Sequence, residues 1–191
     1  MARIAIDIDS TLHHYWDLFR SIVRERYDVD LAYEDQTDWG IGRLPQEHLR
    51  QAVSETHSDE NIAGADPYPD AAETVRGWHE EGHWIHVTSH RAEDSAPATA
   101  RWLESVGIPY DDLHCSWDKV TRCVELGIDV LVDDSPVNLE RARAEGILGA
   151  TIRHPWNLEL EGGDGIVFAD DWKELRQRLE PRLERLQEST R

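Results

Sequence analysis

The chain is poor in lysine and in long hydrophobic runs. Only Lys119 and Lys173 are lysines among its 20 basic residues, and against 39 acidic residues the formal net charge is −19. This balance offers no clustered cationic surface, so it argues against nucleic acid and anionic membranes as partners. No hydrophobic run reaches the length of a membrane span, and no signal-peptide pattern is visible. We therefore expect a cytoplasmic protein whose acidic surface serves solubility.

Cysteine is also scarce. Cys115 and Cys123 have neither zinc-site nor disulfide spacing, so we expect reduced thiols. None of the ten histidines falls in a zinc-binding pattern. Ser89 lacks the Gly-x-Ser-x-Gly elbow of a serine nucleophile and is better explained as a hydroxyl that caps the backbone. These absences disfavour zinc and serine-hydrolase chemistry.

What the chain does contain is an alternation of predicted strands and helices. Strands are predicted at 4–9, 84–88, 113–116, 130–133, 149–152 and 166–168, and helices from 70, at 97–106, 119–126 and 136–144, and from 171. Asp70 and Glu73 have the form of a capping box at the start of one helix. The alternation predicts an α/β fold with a three-layer, doubly wound parallel sheet and right-handed crossovers.

Residues 13–67, which we call the inserted segment, interrupt this alternation. The segment is much longer than an ordinary connection between a strand and a helix. It contains two helical patterns, at 15–27 and 45–57. We predict a small helical cap that excludes water from the site and selects the substrate, with residues 1–12 and 68–191 forming the core domain.

Carboxylates follow two of the predicted strands. Asp7 and Asp9 close the first strand, where side chains two residues apart share a face. Asp133 and Asp134 follow a later strand, and the carboxyl ends of parallel strands are where open α/β sheets bind ligands. Such crowded carboxylates call for a hard divalent cation. The alternative is that Asp7 and Asp9 merely begin a turn.

Four groups of residues follow one another along the chain: an acidic pair, two hydroxyls, a lysine and a second acidic pair. They are Asp7 with Asp9, Thr88 with Ser89, Lys119, and Asp133 with Asp134. Their order resembles the four motifs of the haloacid dehalogenase (HAD) superfamily of phosphatases, from residue 4 to about residue 157. The resemblance implies a Rossmann-like, HAD-like core with the cap inserted after the first strand.

A closer family resemblance is carried by the cap position, by Asn138 and by the run His154-Pro155-Trp156-Asn157. These features are similar to the cytosolic-type 5′(3′)-deoxyribonucleotidases and their bacterial relatives, which use Mg²⁺ to remove phosphate from nucleoside monophosphates. The resemblance implies that Asp7 is the nucleophile and Asp9 the general acid and base. It implies phosphate binding by Thr88, Ser89 and Lys119, and metal binding by Asp7, Asp9, Asp133 and Asp134, with Asp9 acting through its main-chain carbonyl.

The chemistry can also be argued from the residues. A carboxylate nucleophile such as Asp7 divides phosphate-ester hydrolysis into two easier steps, and Asp9 can move the protons. Lys119 stands out in a chain that uses arginine elsewhere, and a compact ammonium suits a phosphate, although chance is the alternative because Lys173 has no such role. Adjacent residues of a strand face opposite ways, so at most one of Asp133 and Asp134 should bind metal directly, and we expect Asp134.

The substrate is less closely defined. The inserted segment and its flank contain the aromatic residues Tyr15, Trp16, Phe19, Trp39 and Tyr68. These side chains form either a stacking surface for a nucleobase or the core of a small helical bundle. Trp39, in a glycine-rich loop, and His90 and Arg91, after a motif strand, are the candidate substrate contacts; His13 and His14 also stand near the site mouth. A small phosphomonoester is the expected partner, and a homodimer is a further expectation.

Three hypotheses follow. The chain is a Mg²⁺-dependent nucleotide phosphatase, a phosphatase of the same chemistry acting on a sugar phosphate or another small phosphoester, or a non-catalytic binding or regulatory protein that keeps the fold. The presence of both Asp7 and Asp9 disfavours the third hypothesis, and Asp9 also disfavours a dehalogenase.

Overall fold

A six-stranded sheet forms the centre of the molecule in the computed structural model, which describes residues 1–116 and 118–189 and side chains as far as residue 186. All strand pairs are parallel, in the order β3-β2-β1-β4-β5-β6. The strands are β1 Arg3–Ile6, β2 Trp84–Ser89, β3 Asp112–Cys115, β4 Val130–Val132, β5 Leu148–Ile152 and β6 Ile166–Ala169. The predicted parallel α/β fold is confirmed.

Helices cover both faces of the sheet. They are α1 Tyr15–Tyr27, α2 Gln46–Thr56, α3 Asp59–Ala63, α4 Ala71–Glu80, α5 Ala96–Ser105, α6 Lys119–Leu126, α7 Pro136–Ala144 and α8 Trp172–Ser189. The main hydrophobic cluster packs α4, α5 and α8 against one face, where Ile4 and Ile6 of β1 are fully buried. Ala5 and Leu131, on the other face, pack with α6 and α7. Because β1 and β4 are covered on both sides, residues 4–6 of β1 and the whole of β4 are apolar.

Two local predictions need correction. The first strand ends at Ile6, not at residue 9, because the N–H groups of Thr11 and Leu12 both donate to the Ile8 carbonyl and turn the chain. The predicted capping box does not form at α4, since Asp70 adopts a left-handed conformation with φ of 63° and its side chain makes no capping hydrogen bond.

The inserted segment holds α1, α2 and α3, together with a short 3₁₀ turn at Tyr33–Asp35. It contributes to a hydrophobic cluster distinct from that of the sheet, in which Trp16, Phe19 and Val23 of α1 meet Ala52 of α2. One buried member of this cluster, Trp156, comes instead from the loop after β5.

Among residues 1–116 and 118–189, no helix combines the length and apolar character needed to cross a bilayer. Cys115 and Cys123 are both buried free thiols. Trp117, Thr190 and Arg191, which fall within the predicted core range of 68–191, lie outside the described residues.

Candidate active site

The sheet register brings the motif residues of three strands to one edge. Ile6 of β1 pairs with Val87 of β2 and with Val132 of β4. The next residues along these strands, Asp7, Thr88 and Asp133, therefore meet at the carboxyl edge. By strand alternation they lie on the face covered by α6 and α7, as Ala5 and Leu131 do. The predicted site at the edge of the sheet thus follows from the register of the strands.

Lys119 joins this group because it is the first residue of α6. Asp118 caps that helix, its carboxylate accepting the N–H of Thr121 at 3.4 Å. The Lys119 ammonium donates to Asp7 Oδ1 and, at 3.3 Å, to Asp133 Oδ2. All three side chains are almost completely buried, so the two carboxylates share one cation out of contact with water.

A cluster of three carboxylates completes the edge. Oxygen atoms of Asp7, Asp133 and Asp134 lie within 4.8 Å of one another. Asp133 and Asp134 both take part, although adjacent residues of a strand face opposite ways. The Asp133 N–H still donates to the Ala150 carbonyl, so the alternation extends to Asp133 and ends before Asp134. This is the set of described side chains that could hold a divalent cation. Asp9 is not in the set, so a metal contact through its main-chain carbonyl stays a prediction.

The two aspartates after β4 have different surroundings. The Asp133 carboxylate accepts hydrogen bonds from the backbone N–H of Ser135 at 2.8 Å and from Asn138 Nδ2 at 3.1 Å, in addition to Lys119. The Asp134 carboxylate accepts one from Trp156 Nε1 at 3.1 Å. Asp133 is therefore largely occupied by protein donors, which favours Asp134 as the direct ligand.

The charges in this cluster do not balance. Burial, followed by the neighbouring carboxylates, raises the pKa of Asp134 well above its usual value. Burial also raises the pKa of Asp7 to about 7, although Lys119 opposes the rise. Burial disfavours the Lys119 ammonium, but Asp133 and Asp7 outweigh that cost and raise its pKa. Three carboxylates around a single ammonium therefore form a site that favours an additional cation.

The two hydroxyls after β2 point to different neighbours. Thr88 is fully buried beside Asp7 in the sheet order, and its Oγ1 has no hydrogen-bond partner among the described residues. A buried hydroxyl without a hydrogen-bond partner costs folding free energy. The Thr88 hydroxyl is therefore available to bind an oxygen atom of a ligand. Ser89 Oγ instead donates to Asp9 Oδ2 at 3.2 Å and accepts the N–H of Arg91.

Asp9 has partners of its own. Its carboxylate accepts Arg91 Nη2 at 2.7 Å and lies 2.9 Å from His13 Nε2 and 3.3 Å from His57 Nε2. Burial alone would raise the pKa of Asp9, but Arg91, His13 and His57 outweigh burial and hold the pKa well below its usual value. Asp7 and Asp9 were predicted to share a face, but the turn at Ile8 separates them. Asp7 therefore contacts Lys119, whereas Asp9 contacts Arg91.

Arg91 was expected to contact the substrate, but the structure places its side chain in the interior. Its side chain is 1% exposed, and its guanidinium also donates to Thr99 Oγ1 at 3.1 Å, so it lies behind Asp9. His57 was not singled out by the sequence, because it follows α2 in a polar stretch and reaches Asp9 only through the packing of the inserted segment. No local sequence signal could have revealed this contact.

A cavity of about 210 Å³ opens above the carboxylates. Asp9 and Asp134 border it, together with Trp39 and His90, two of the predicted substrate contacts. Its remaining walls are largely apolar and include Tyr15, Trp16, Phe19, Ile41, Val53 and Trp156. Phe19 is fully buried in the hydrophobic cluster, whereas Trp39 is 42% exposed, so stacking of a nucleobase on Trp39 stays a prediction.

Comparisons with known proteins agree with this arrangement. Residues 1–183 match the model of a family described as 5′ nucleotidase, deoxy (pyrimidine), cytosolic type C protein (NT5C). A protein of Chlorobaculum tepidum with the provisional name 5′(3′)-deoxyribonucleotidase is 25% identical over 170 residues, which cover 83% of this chain and 82% of that protein.

Solved structures share the fold of this chain. The crystal structure of CbbY from Rhodobacter sphaeroides in complex with phosphate matches with a TM-score of 0.63 and 17% identity, covering 92% of this chain and 96% of that one. A HAD family hydrolase from Deinococcus radiodurans R1 with bound phosphate and sodium gives a TM-score of 0.64 and 14% identity, covering 97% and 96%.

Proposed function

Because this chain belongs to the family of 5′-nucleotidases of the deoxy (pyrimidine), cytosolic type C, it is a phosphatase, and we propose that it hydrolyses a nucleoside monophosphate through a phosphorylated Asp7. The observation that carries this proposal is a buried group at the carboxyl edge of the sheet, in which Asp134 borders an aromatic-lined cavity; the group consists of Asp7, Lys119, Asp133 and Asp134. The family description also supports the cytoplasm as its compartment.

Mg²⁺ fits the residues at this edge. The donor set consists of carboxylate oxygens, which are the ligands that Mg²⁺ prefers. Burial, together with repulsion from the neighbouring carboxylates, disfavours the ionisation of Asp7 and Asp134 unless a cation is added. Asp7 and Asp134 would hold the ion, and Asp133, which Ser135 and Asn138 fix in place, would support them. When bound, Mg²⁺ reduces the repulsion between Asp7 and the phosphoryl oxygens and stabilises the charge of the transition state.

The residues of the chain then divide the reaction into two steps. A carboxylate oxygen of Asp7 attacks phosphorus, the bond from phosphorus to the ester oxygen breaks, and Asp9 protonates the leaving oxygen. Water next attacks the phosphorus, Asp9 takes its proton, and the bond between Asp7 and phosphorus breaks to release phosphate. Lys119 neutralises charge throughout, and the unpartnered Thr88 hydroxyl donates to a phosphoryl oxygen.

The surroundings of Asp9 suit the second step directly. Held ionised by Arg91, it can accept a proton from water. For the first step Asp9 must carry a proton, which requires that its contacts with Arg91 loosen when the substrate arrives. The network formed by Arg91, His13 and His57 therefore acts by positioning Asp9.

The inserted segment supplies the specificity in this proposal. We assign residues 13–67 as a cap, because they bring Trp39 and most of the apolar cavity wall over the carboxylates and place His57 against Asp9. An apolar, aromatic wall opposite a phosphate site suits a molecule with a planar ring at one end and a phosphate at the other. Trp39 and His90, at the border of the cavity, are the proposed substrate contacts.

The test is phosphate release from a panel of nucleoside monophosphates, sugar phosphates and an aryl phosphate, with Mg²⁺ or with a chelator. We expect Mg²⁺-dependent turnover that is strongest on deoxynucleoside monophosphates, and we expect Asp7→Asn to abolish it because no nucleophile remains. Asp164→Asn, at an exposed loop position, is the matched control and should keep full activity.

Each other outcome has a definite meaning. Turnover confined to sugar phosphates or the aryl ester would retain the mechanism and reject the nucleotide. Equal activity of Asp7→Asn would reject the mechanism itself. No turnover on any substrate, in protein shown to be folded, would favour a binding role.

A further inference from the structure

Trp156 connects two parts of the molecule that the chain does not join directly. It follows β5, yet its ring packs in the hydrophobic cluster of the inserted segment, with centroids 5.4 Å from Trp16 and 5.6 Å from Tyr33. Its indole Nε1 donates to Asp134 Oδ2 at 3.1 Å, and the residue is only 5% exposed. One side chain thus forms part of the cavity wall and contacts a carboxylate of the cluster.

The loop that carries Trp156 is fixed to the same aspartate. Asn157 Nδ2 donates to the Asp134 carbonyl at 3.3 Å and to Thr151 Oγ1 at 3.0 Å. Asn157 Oδ1 accepts the N–H of His154 at 2.9 Å, which closes the loop on itself. The position of the indole relative to Asp134 is therefore set by hydrogen bonds and not only by packing.

The ring of Trp156 is also supported from the side. The His154 imidazole stacks on it with a centroid distance of 4.6 Å and an interplanar angle of 6°. His154 Nδ1 lies 2.7 Å from the Tyr33 hydroxyl, which belongs to the inserted segment. Tyr33 and His154 therefore support the indole ring, while Asn157 fixes the loop that carries it.

Among the described residues, the Trp156 indole is the hydrogen-bond donor found at the Asp134 carboxylate, whereas Asp133 has three donors. Without this bond, no side chain or backbone N–H of the described residues would donate to the Asp134 carboxylate and fix its rotation. With the bond, Trp156 fixes the position of Oδ2, and Oδ1 remains available to the carboxylate cluster.

We infer that Trp156 is a positioning residue that orients Asp134 for Mg²⁺ and links the metal site to the inserted segment. This inference rests on the Mg²⁺ site of the proposed function. Partners that orient metal ligands typically contribute about 10- to 100-fold to metal affinity. Because Trp156 also forms part of the cavity wall, contacts made there with a substrate favour the same orientation of Asp134, and the two binding events strengthen one another.

The test is Mg²⁺ binding measured by titration calorimetry in the absence of substrate, on the whole protein. Trp156→Phe keeps an aromatic ring but removes the N–H donor, and we expect Mg²⁺ affinity to fall about 10-fold. Trp84→Phe is the matched control, because Trp84 is the first residue of β2 and lies at the edge of the sheet opposite the carboxylates; its Mg²⁺ affinity should equal that of the wild type.

Wild-type affinity in folded Trp156→Phe would overturn the inference while leaving the Mg²⁺ site intact. No Mg²⁺ binding by the wild type would overturn the metal site and the inference together, so the two failures are distinguishable. If circular dichroism shows that Trp156→Phe does not fold, Tyr33→Phe replaces it. Loss of that hydroxyl should weaken Mg²⁺ binding about twofold or more, and an unchanged affinity would overturn the inference.

Discussion

Arg91 and Arg101 both form ion pairs with aspartates, but only the pair of Arg91 is shielded from water. The Arg91 side chain is 1% exposed and that of Asp9 is 17% exposed, whereas the side chains of Arg101 and Asp59 are 64% and 76% exposed. An exposed pair gains little because water solvates both ions equally well. Removal of one partner from a buried pair leaves the other charge without compensation.

We therefore expect Arg91→Met to lower the free energy of unfolding by about 3–5 kcal/mol, and Arg101→Met by less than about 1 kcal/mol. Denaturant titrations at pH 7 provide the measurement. Equal losses in the two variants would contradict the assignment of Arg91 as the buried counter-ion of Asp9. Arg91→Met should also slow turnover, because Asp9 is no longer held in place.

At the scale of elements, α6 shows how a short helix places one charge at the candidate site. Asp118 caps its first turn, Lys119 is its first residue, and Gly127 ends it in a left-handed conformation with φ of 61°. The Gly127 N–H donates to the Val124 carbonyl at 3.0 Å. Nothing lies within 4 Å of the position that a Gly127 side chain would occupy, so only the backbone conformation demands glycine here.

Gly127→Ala should accordingly lower the free energy of unfolding by about 1–2 kcal/mol, which is the cost of a left-handed conformation for a residue with Cβ. Gly40→Ala is the control, since Gly40 also has open space around it but no positive φ. Urea unfolding midpoints of the two variants test the prediction. A similar midpoint shift in both would mean that the conformation at the end of α6 is not responsible.

At the scale of the whole molecule, buried histidines make stability depend on pH. His86 is fully buried on β2, stacked on Trp84, and burial lowers its pKa to about 4. His154 is also buried, and burial lowers its pKa to about 4 as well. An unfolded histidine takes up a proton near pH 6.5, so between these pH values the unfolded state binds more protons than the folded state.

Stability should therefore fall as the pH is lowered from about 6.5 to about 4, by up to about 1.4 kcal/mol per pH unit for each such histidine. His86→Phe removes one of these contributions and keeps a ring against Trp84. Unfolding free energies at pH 7 and pH 5 should differ less in this variant than in the wild type, by up to about 2 kcal/mol. The same pH difference in both proteins would show that His86 does not remain neutral in the fold.

Local sequence determined much of this protein. Apolar runs specified the six strands, helical spacing specified most helices, and the residues just after the strands identified the active-site edge, because parallel strands all present their carboxyl ends there. Asp7, Thr88, Lys119 and Asp133 could be placed together for that reason. The strand end at Ile6 was missed, since the turn at Ile8 depends on hydrogen bonds that an apolar run does not reveal.

Contacts between distant segments were decided only by the tertiary structure. Arg91 and His57 lie 82 and 48 positions from Asp9 along the chain, and Trp156 lies 22 positions from Asp134. No periodicity encodes such pairs, because they arise when the loop after β2, the inserted segment and the loop after β5 pack at the edge of the sheet. The sequence thus determined which groups lie at the candidate site, and the packing of separate segments decided which partner orients each group, since orientation depends on side chains that meet only after folding.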